Sequence, residues 1–122
     1  MRLLLDTHIL VWAATGDTKL SSAAAQLIDD EANTLYFSAA SIWELTIKGA
    51  QRTGIIPGVL RKALLEANYR ELPITAEHGI AVGALPDHHR DPFDRIMVAQ
   101  ALSEGLILVT MTAPCTAIHT QP

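Results

Sequence analysis

Apolar residues fall in short blocks separated by polar turns. The first block, Leu3-Leu4-Leu5, has no polar alternation, which predicts a strand buried on both faces. It ends in Asp6-Thr7-His8, and Ile9 to Ala14 then reads as a helix, so Asp6 stands at the strand's C-terminal end. Gly16-Asp17-Thr18 is a loop, and Leu20-Ser21-Ser22 opens a second helix from Ala23 to about Ala32. Its Asp29-Asp30-Glu31 run falls in the last turn, where the helix dipole disfavours acids, and reads as a solvated end rather than a metal site. Leu35-Tyr36-Phe37 is a second short strand.

The next segment, Ser38 to Lys48, predicts a helix with its start open to two registers. Ser41 and Glu44 fit an S-x-x-E capping box, and Ser38 fits as a cap one turn earlier. In the second register Glu44 lies inside the helix and its carboxylate is available for other chemistry. Gly54 to Gly58 is a break, Val59 to Asn68 an amphipathic helix, and Tyr69 to Ile74 a short edge strand stopped by Pro73. Thr75 caps a helix over Ala76 to Leu85. Asp91 and Pro92 then supply an N-cap and a first-position proline for a long helix that is apolar nearly all round, closed by Gly105. Asp94 opens its 94, 97, 98, 101 face, so the carboxylate is expected to point toward the interior or a cleft and to need a partner; taken alone, an acid at the third helical position is explained by the helix dipole. Leu106 to Thr110 is the clearest strand, and Met111 to Pro122 predicts at most a short turn. The large apolar residues Trp12, Ile42, Trp43 and Ile47 are expected mostly in the core, with some left to line a dimer or antitoxin surface.

Alternating strands and helices predict an α/β fold, a central parallel sheet flanked by helices in three layers. The 122 residues suit a single domain spanning 1–122. Arg2 precedes only a short apolar run that Asp6 interrupts, so no secretory signal is expected, and no apolar run reaches membrane-spanning length; a cytoplasmic protein is expected. Cys115 is the single cysteine, which excludes an internal disulfide and a cysteine-based zinc site. A net charge of −4 argues against coating nucleic acid through a broad basic surface, but not against a nuclease whose acids hold cations that meet phosphate.

On such a scaffold Asp6, Glu44 and Asp94 can converge at one edge of the sheet. Gathered carboxylates repel one another unless a cation neutralises them. A hard divalent ion, Mg²⁺ or Mn²⁺, suits oxygen ligands and keeps waters, which makes metal-dependent phosphodiester hydrolysis a consistent chemistry.

Leu4-Leu5-Asp6-Thr7-His8, Ser38-Ala39-Ala40-Ser41-Ile42-Trp43-Glu44, Leu72-Pro73, His89 to Arg95 with Ala99-Gln100-Ala101, and Gly105 to Thr110 together resemble the PIN-domain toxins of the VapC type, in that family's order and spacing. The resemblance implies a PIN fold and a Mg²⁺-dependent endoribonuclease. It further implies the toxin half of a prokaryotic toxin–antitoxin pair, neutralised by a cognate antitoxin and homodimeric. Asp6, Glu44 and Asp94 match the family's acidic metal-site residues, with Asp6 and Asp94 as main ligands and Glu44 completing the set or orienting water. Asp91 matches a recurrent Asp, although its N-cap role already explains it. Thr7 and Ser38 are expected to orient the carboxylates, and Arg90 and Arg95 to meet RNA phosphate, with solvated charges the plainer reading.

Where the family commonly carries an Asp, two residues after the last strand's Thr110, this chain has Thr112. An uncharged hydroxyl is a poor substitute for a carboxylate on Mg²⁺. A weakened or inactive domain that still dimerises and binds an antitoxin is therefore the competing expectation. Asp87-His88-His89 is similar to the motif of DHH phosphoesterases, but it precedes a helix cap rather than following an apolar strand. Leu5-Asp6-Thr7 is faintly similar to phosphatases with an Asp nucleophile, which need a second acid where His8 stands.

Overall fold

The computed structural model describes residues 1–86, 91–112 and 115–119. Strands β1 (Arg2–Leu5), β2 (Thr34–Ser38), β3 (Arg70–Leu72) and β4 (Ile107–Thr112) run parallel, and β5 (Cys115–His119) pairs antiparallel with β4. The sheet order is β3-β2-β1-β4-β5. Leu5 sits opposite Phe37 on one side and Val109 on the other, so β1 is hydrogen-bonded on both edges. The connections move from β1 outward through β2 to β3, then return across β1 to β4. That reversal creates a switch point beside β1, where ligands enter open α/β sheets at the strands' C-terminal ends.

Helices α1 (Thr7–Thr15), α2 (Ser22–Asp29), α3 (Ala39–Lys48), α4 (Ala50–Thr53), α5 (Pro57–Glu66), α6 (Ala76–Val82) and α7 (Pro92–Glu104) complete the described chain. The unbroken Leu3-Leu4-Leu5 run divides between two cores because side chains alternate across a strand. Leu3 and Leu5 pack with Ile9, Leu10, Phe37, Leu64 and Val109, whereas Leu4 packs with Leu72, Met97, Ala101 and Leu108. The three leucines are fully buried, and each such side chain contributes about 1.5–3 kcal/mol relative to an exposed position. Helix α7 ends where Gly105 adopts φ 67°, a left-handed conformation that lets its N–H reach the Ala101 carbonyl.

Several expectations need correction. The tail is not limited to a turn: its backbone continues β4 to Thr112 and returns as β5, with Val109 opposite Ile118. Helix α6 stops at Val82 because Arg95 from α7 donates to the carbonyls of Val82 and Pro86 at 3.0 Å each, capping that end from outside. The second helix ends at Asp29, and α4 is an extra turn before Gly54. Trp43 and Ile47 are exposed, at 58% and 61%, one turn apart on α3, although Trp12 is buried as expected.

The edge strand β3 is tied to α5 by a two-pronged pair, Arg61 Nε to Glu71 Oε1 at 2.5 Å and Nη2 to Oε2 at 3.2 Å. Hydrogen bonding from the guanidinium holds the Glu71 carboxyl below its ordinary value. The stabilisation is therefore complete above the unfolded carboxyl's pKa and is lost as pH falls through the lower folded value. Glu71→Gln is expected to lower the melting temperature slightly at pH 7, with the gap to wild type closing under acid, as thermal melts across pH will read. An unchanging gap would show that the pair is not its source.

Candidate active site

Asp6 follows the last residue of β1 and starts α1. Its amide donates to the Val109 carbonyl at 3.0 Å, extending the β1–β4 ladder by one residue. Its Oδ1 accepts the Ile9 amide at 3.0 Å, a helix N-cap. Its Oδ2 accepts the Thr110 hydroxyl from β4. Position and rotamer are thus fixed by the sheet, the helix and a neighbouring strand, and the residue is only 6% exposed. The N-cap and the candidate ligand are the same carboxylate.

Ser38, at the end of β2, caps α3: its Oγ accepts the Ala40 amide at 3.0 Å and donates to Gln100 Oε1 at 2.6 Å. The open register is thereby settled, and Glu44 lies inside the helix. Ser38 contacts neither Asp6 nor Glu44 in any of these bonds; it sets where α3 begins. The side chain that reaches Glu44 is Thr7, whose hydroxyl donates to Oε1 at 2.7 Å. Thr7 Oγ1 also lies 2.9 Å from Ser41 Oγ, which in turn lies 3.6 Å from Met97 Sδ on α7. This buried Thr7–Ser41–Met97 relay joins the three elements that carry the acids. Asp6 precedes Thr7, Glu44 is one turn beyond Ser41, and Asp94 is one turn before Met97.

Glu44 is 4% exposed, and its Oε2 is paired with Lys48 Nζ at 2.7 Å. Asp94 differs from expectation. It is exposed, in the first turn of α7, where the helix dipole favours a carboxylate. Asp91 caps that helix by accepting the Phe93 amide at 2.9 Å and is itself exposed. Arg95 is engaged with the Val82 and Pro86 carbonyls, which holds its guanidinium to the end of α6. Arg90 and the Asp87-His88-His89 string lie outside the described residues, as does the side chain of Thr112.

Among the described residues no three His, Cys, Asp or Glu side chains stand close enough together to hold a metal ion. The donor chemistry still fits a hard divalent ion. Mg²⁺ is usually held by one or two carboxylates and keeps several waters, and an ionised carboxylate has about four acceptor positions. On Asp6 the Ile9 amide and the Thr110 hydroxyl each take one such position. Sequence reasoning missed Thr110 and Lys48 and weighed Ser41 only as a helix cap. Only Lys48 had a local signal, its i,i+4 spacing from Glu44; Thr110 becomes a partner of Asp6 only once β4 is placed beside β1.

A switch-point carboxylate in a β3-β2-β1-β4-β5 sheet with helices on both faces defines a PIN-like α/β protein. The PIN domain profile matches residues 3–111 of this chain. Ribonuclease VapC22 of Mycobacterium tuberculosis is 34% identical over 110 residues, covering 88% of this chain and 84% of that relative. The fold is similar to that of M. tuberculosis VapC20, described as a toxin that cleaves the sarcin–ricin loop, with TM-score 0.67, 18% identity and coverage of 92% and 91%. It is also similar to a chain of Rickettsia felis VapBC2 bound to a promoter DNA fragment, with TM-score 0.65, 19% identity and coverage of 93% and 90%. The chain belongs to the PIN-domain family, in its VapC-type branch. Among the described residues, no helix is long and apolar enough to cross a membrane.

Proposed function

We propose that this protein is a divalent-metal-dependent endoribonuclease, the toxin of a toxin–antitoxin pair. The observation that carries the reading is Asp6, a buried carboxylate fixed at the switch point by the Ile9 amide and the Thr110 hydroxyl. The 34% identity to a ribonuclease supports RNA as the substrate. In this reading Asp6 and Asp94 hold Mg²⁺ or Mn²⁺, and Glu44 completes the set or orients the attacking water. The ion supplies positive charge for the phosphodiester during in-line displacement. Asp6 stays in place because strand and helix hold it, and Thr7 fixes the rotamer of Glu44. A hard cation accepts water where a protein ligand is missing, so a threonine at position 112 would be compatible with a loaded site.

An antitoxin partner is supported by the Rickettsia felis VapBC2 structure and by a toxin–antitoxin complex from Klebsiella pneumoniae, both similar in fold. The exposed Trp43 and Ile47 on α3 support a homodimer, since a second copy would cover that apolar stripe. Thr112 favours a second reading, a domain that binds its antitoxin without cutting RNA. The test is RNA cleavage by purified protein in Mg²⁺ or Mn²⁺ against EDTA. Cleavage only with metal is expected. No cleavage of transfer, ribosomal and messenger RNA, with antitoxin binding intact, would replace the nuclease with the binding module.

A further inference from the structure

Glu44 and Lys48 form an i,i+4 pair, and on an exposed helix face such a pair is a minor stabiliser. This pair is different because one partner is buried. The Glu44 side chain is 5% exposed and that of Lys48 36%. A carboxylate at that depth needs a cation or several donors. It accepts from the Thr7 hydroxyl at 2.7 Å and the Lys48 ammonium at 2.7 Å, one on each oxygen. The ammonium comes from the last turn of α3, where the dipole favours a cation and where the lysine stem can lie along the helix with its head at the surface. The half-exposed ammonium can leave for solvent; the buried carboxylate cannot.

We propose that Lys48 is the built-in counter-ion of Glu44, occupying the place on Oε2 that a divalent cation takes when the site is loaded. This rests on the metal-site reading above. Metal and ammonium compete for one carboxylate, so metal binding releases Lys48, and by linkage Lys48 weakens metal binding in equal measure. The released ammonium then stands beside the site as a phosphate contact.

The test is Mn²⁺ titration by calorimetry, with thermal melts in EDTA and in Mn²⁺, for wild type, Lys48→Met and the double variant Glu44→Gln with Lys48→Met. Lys48→Met is expected to melt lower than wild type in EDTA, to gain more from Mn²⁺, and to bind it about five- to tenfold more tightly. The double variant should recover stability in EDTA and lose the gain in affinity. Equal or weaker binding by Lys48→Met, with wild type binding normally, overturns the counter-ion alone. No binding by any variant overturns the metal site as well. A second readout needs no variant: acetylation of wild type, read by mass spectrometry, should label Lys48 faster with Mn²⁺ than without, relative to the exposed Lys19 and Lys62. Unchanged relative labelling of Lys48 would overturn its release.

Discussion

Asp6→Asn and Asp94→Asn are each expected to lower RNA cleavage by at least about a hundredfold while leaving the fold intact. Neutralising a ligand removes charge from where a divalent ion must sit, and several kcal/mol of transition-state stabilisation depend on that ion. Stability survives for a separate reason at each site. At position 6, asparagine is as good an N-cap as aspartate, so its Oδ1 keeps the Ile9 amide, and its amide nitrogen can donate to Thr110 Oγ1 in place of the bond that now runs from Thr110 to Asp6. At position 94 the side chain is exposed, and asparagine keeps its shape while giving up the carboxylate's favourable term with the helix dipole. Asp6→Ala would be a poorer probe, since it removes the cap and orphans Thr110. The check is cleavage of a defined RNA at saturating Mg²⁺, with circular dichroism melts on the same preparations. Wild-type cleavage by both Asn variants, in nuclease-free preparations, would remove these carboxylates from the mechanism.

How far the sequence could be read depended on whether each feature was local. Leu3-Leu4-Leu5 gave a doubly buried strand because no polar residue interrupts it, and the sheet does place it at the centre. Asp91, Pro92 and Gly105 marked both ends of α7 because capping chemistry involves only the adjacent backbone. Features set by distant partners were not legible. Ser38 and Ser41 carry the same hydroxyl, and the choice of cap follows the pairing of Ser38 with Leu72 across to β3 and its bond to Gln100, sixty-two residues away. The end of α6 is set by Arg95, and β5 exists through its ladder with β4 rather than through any alternation in a Thr- and Ala-rich tail. Asp94 shares a helical face with Met97, but Met97 is 1% exposed and Asp94 is exposed; in the first turn of α7 it is Phe93, not Asp94, that packs against the core Met97 enters. The three acids were legible as residue types. Thr7 was expected to orient a carboxylate, and its bond is to Glu44; the Lys48 bond went unread although its i,i+4 spacing from Glu44 is local.

Gln100→Glu is expected to destabilise the protein by about 3–4 kcal/mol at pH 7, and to do so only above mildly acidic pH. Gln100 is fully buried, in a helix that crosses the ends of two strands. Its Oε1 accepts the Ser38 hydroxyl at 2.6 Å, and its Nε2 donates to the Pro73 carbonyl at 3.3 Å, so one amide holds the cap of α3 and the exit from β3. A glutamate of the same shape can still accept from Ser38. Its second oxygen, however, meets the Pro73 carbonyl, and only a protonated carboxyl can donate there. Burial and that carbonyl both favour the neutral acid, raising the folded pKa by about 3–5 units. The sign follows from linkage: below the unfolded pKa of about 4.3 both states are protonated and nothing is lost. As pH rises the unfolded chain ionises first, and stability falls by about 1.36 kcal/mol per unit until the folded carboxyl ionises too. Urea unfolding between pH 4 and pH 8 will read this, with wild type as reference. A Gln100→Glu deficit that does not grow with pH would mean that the buried amide is not what joins α7 to the starts of α3 and the end of β3.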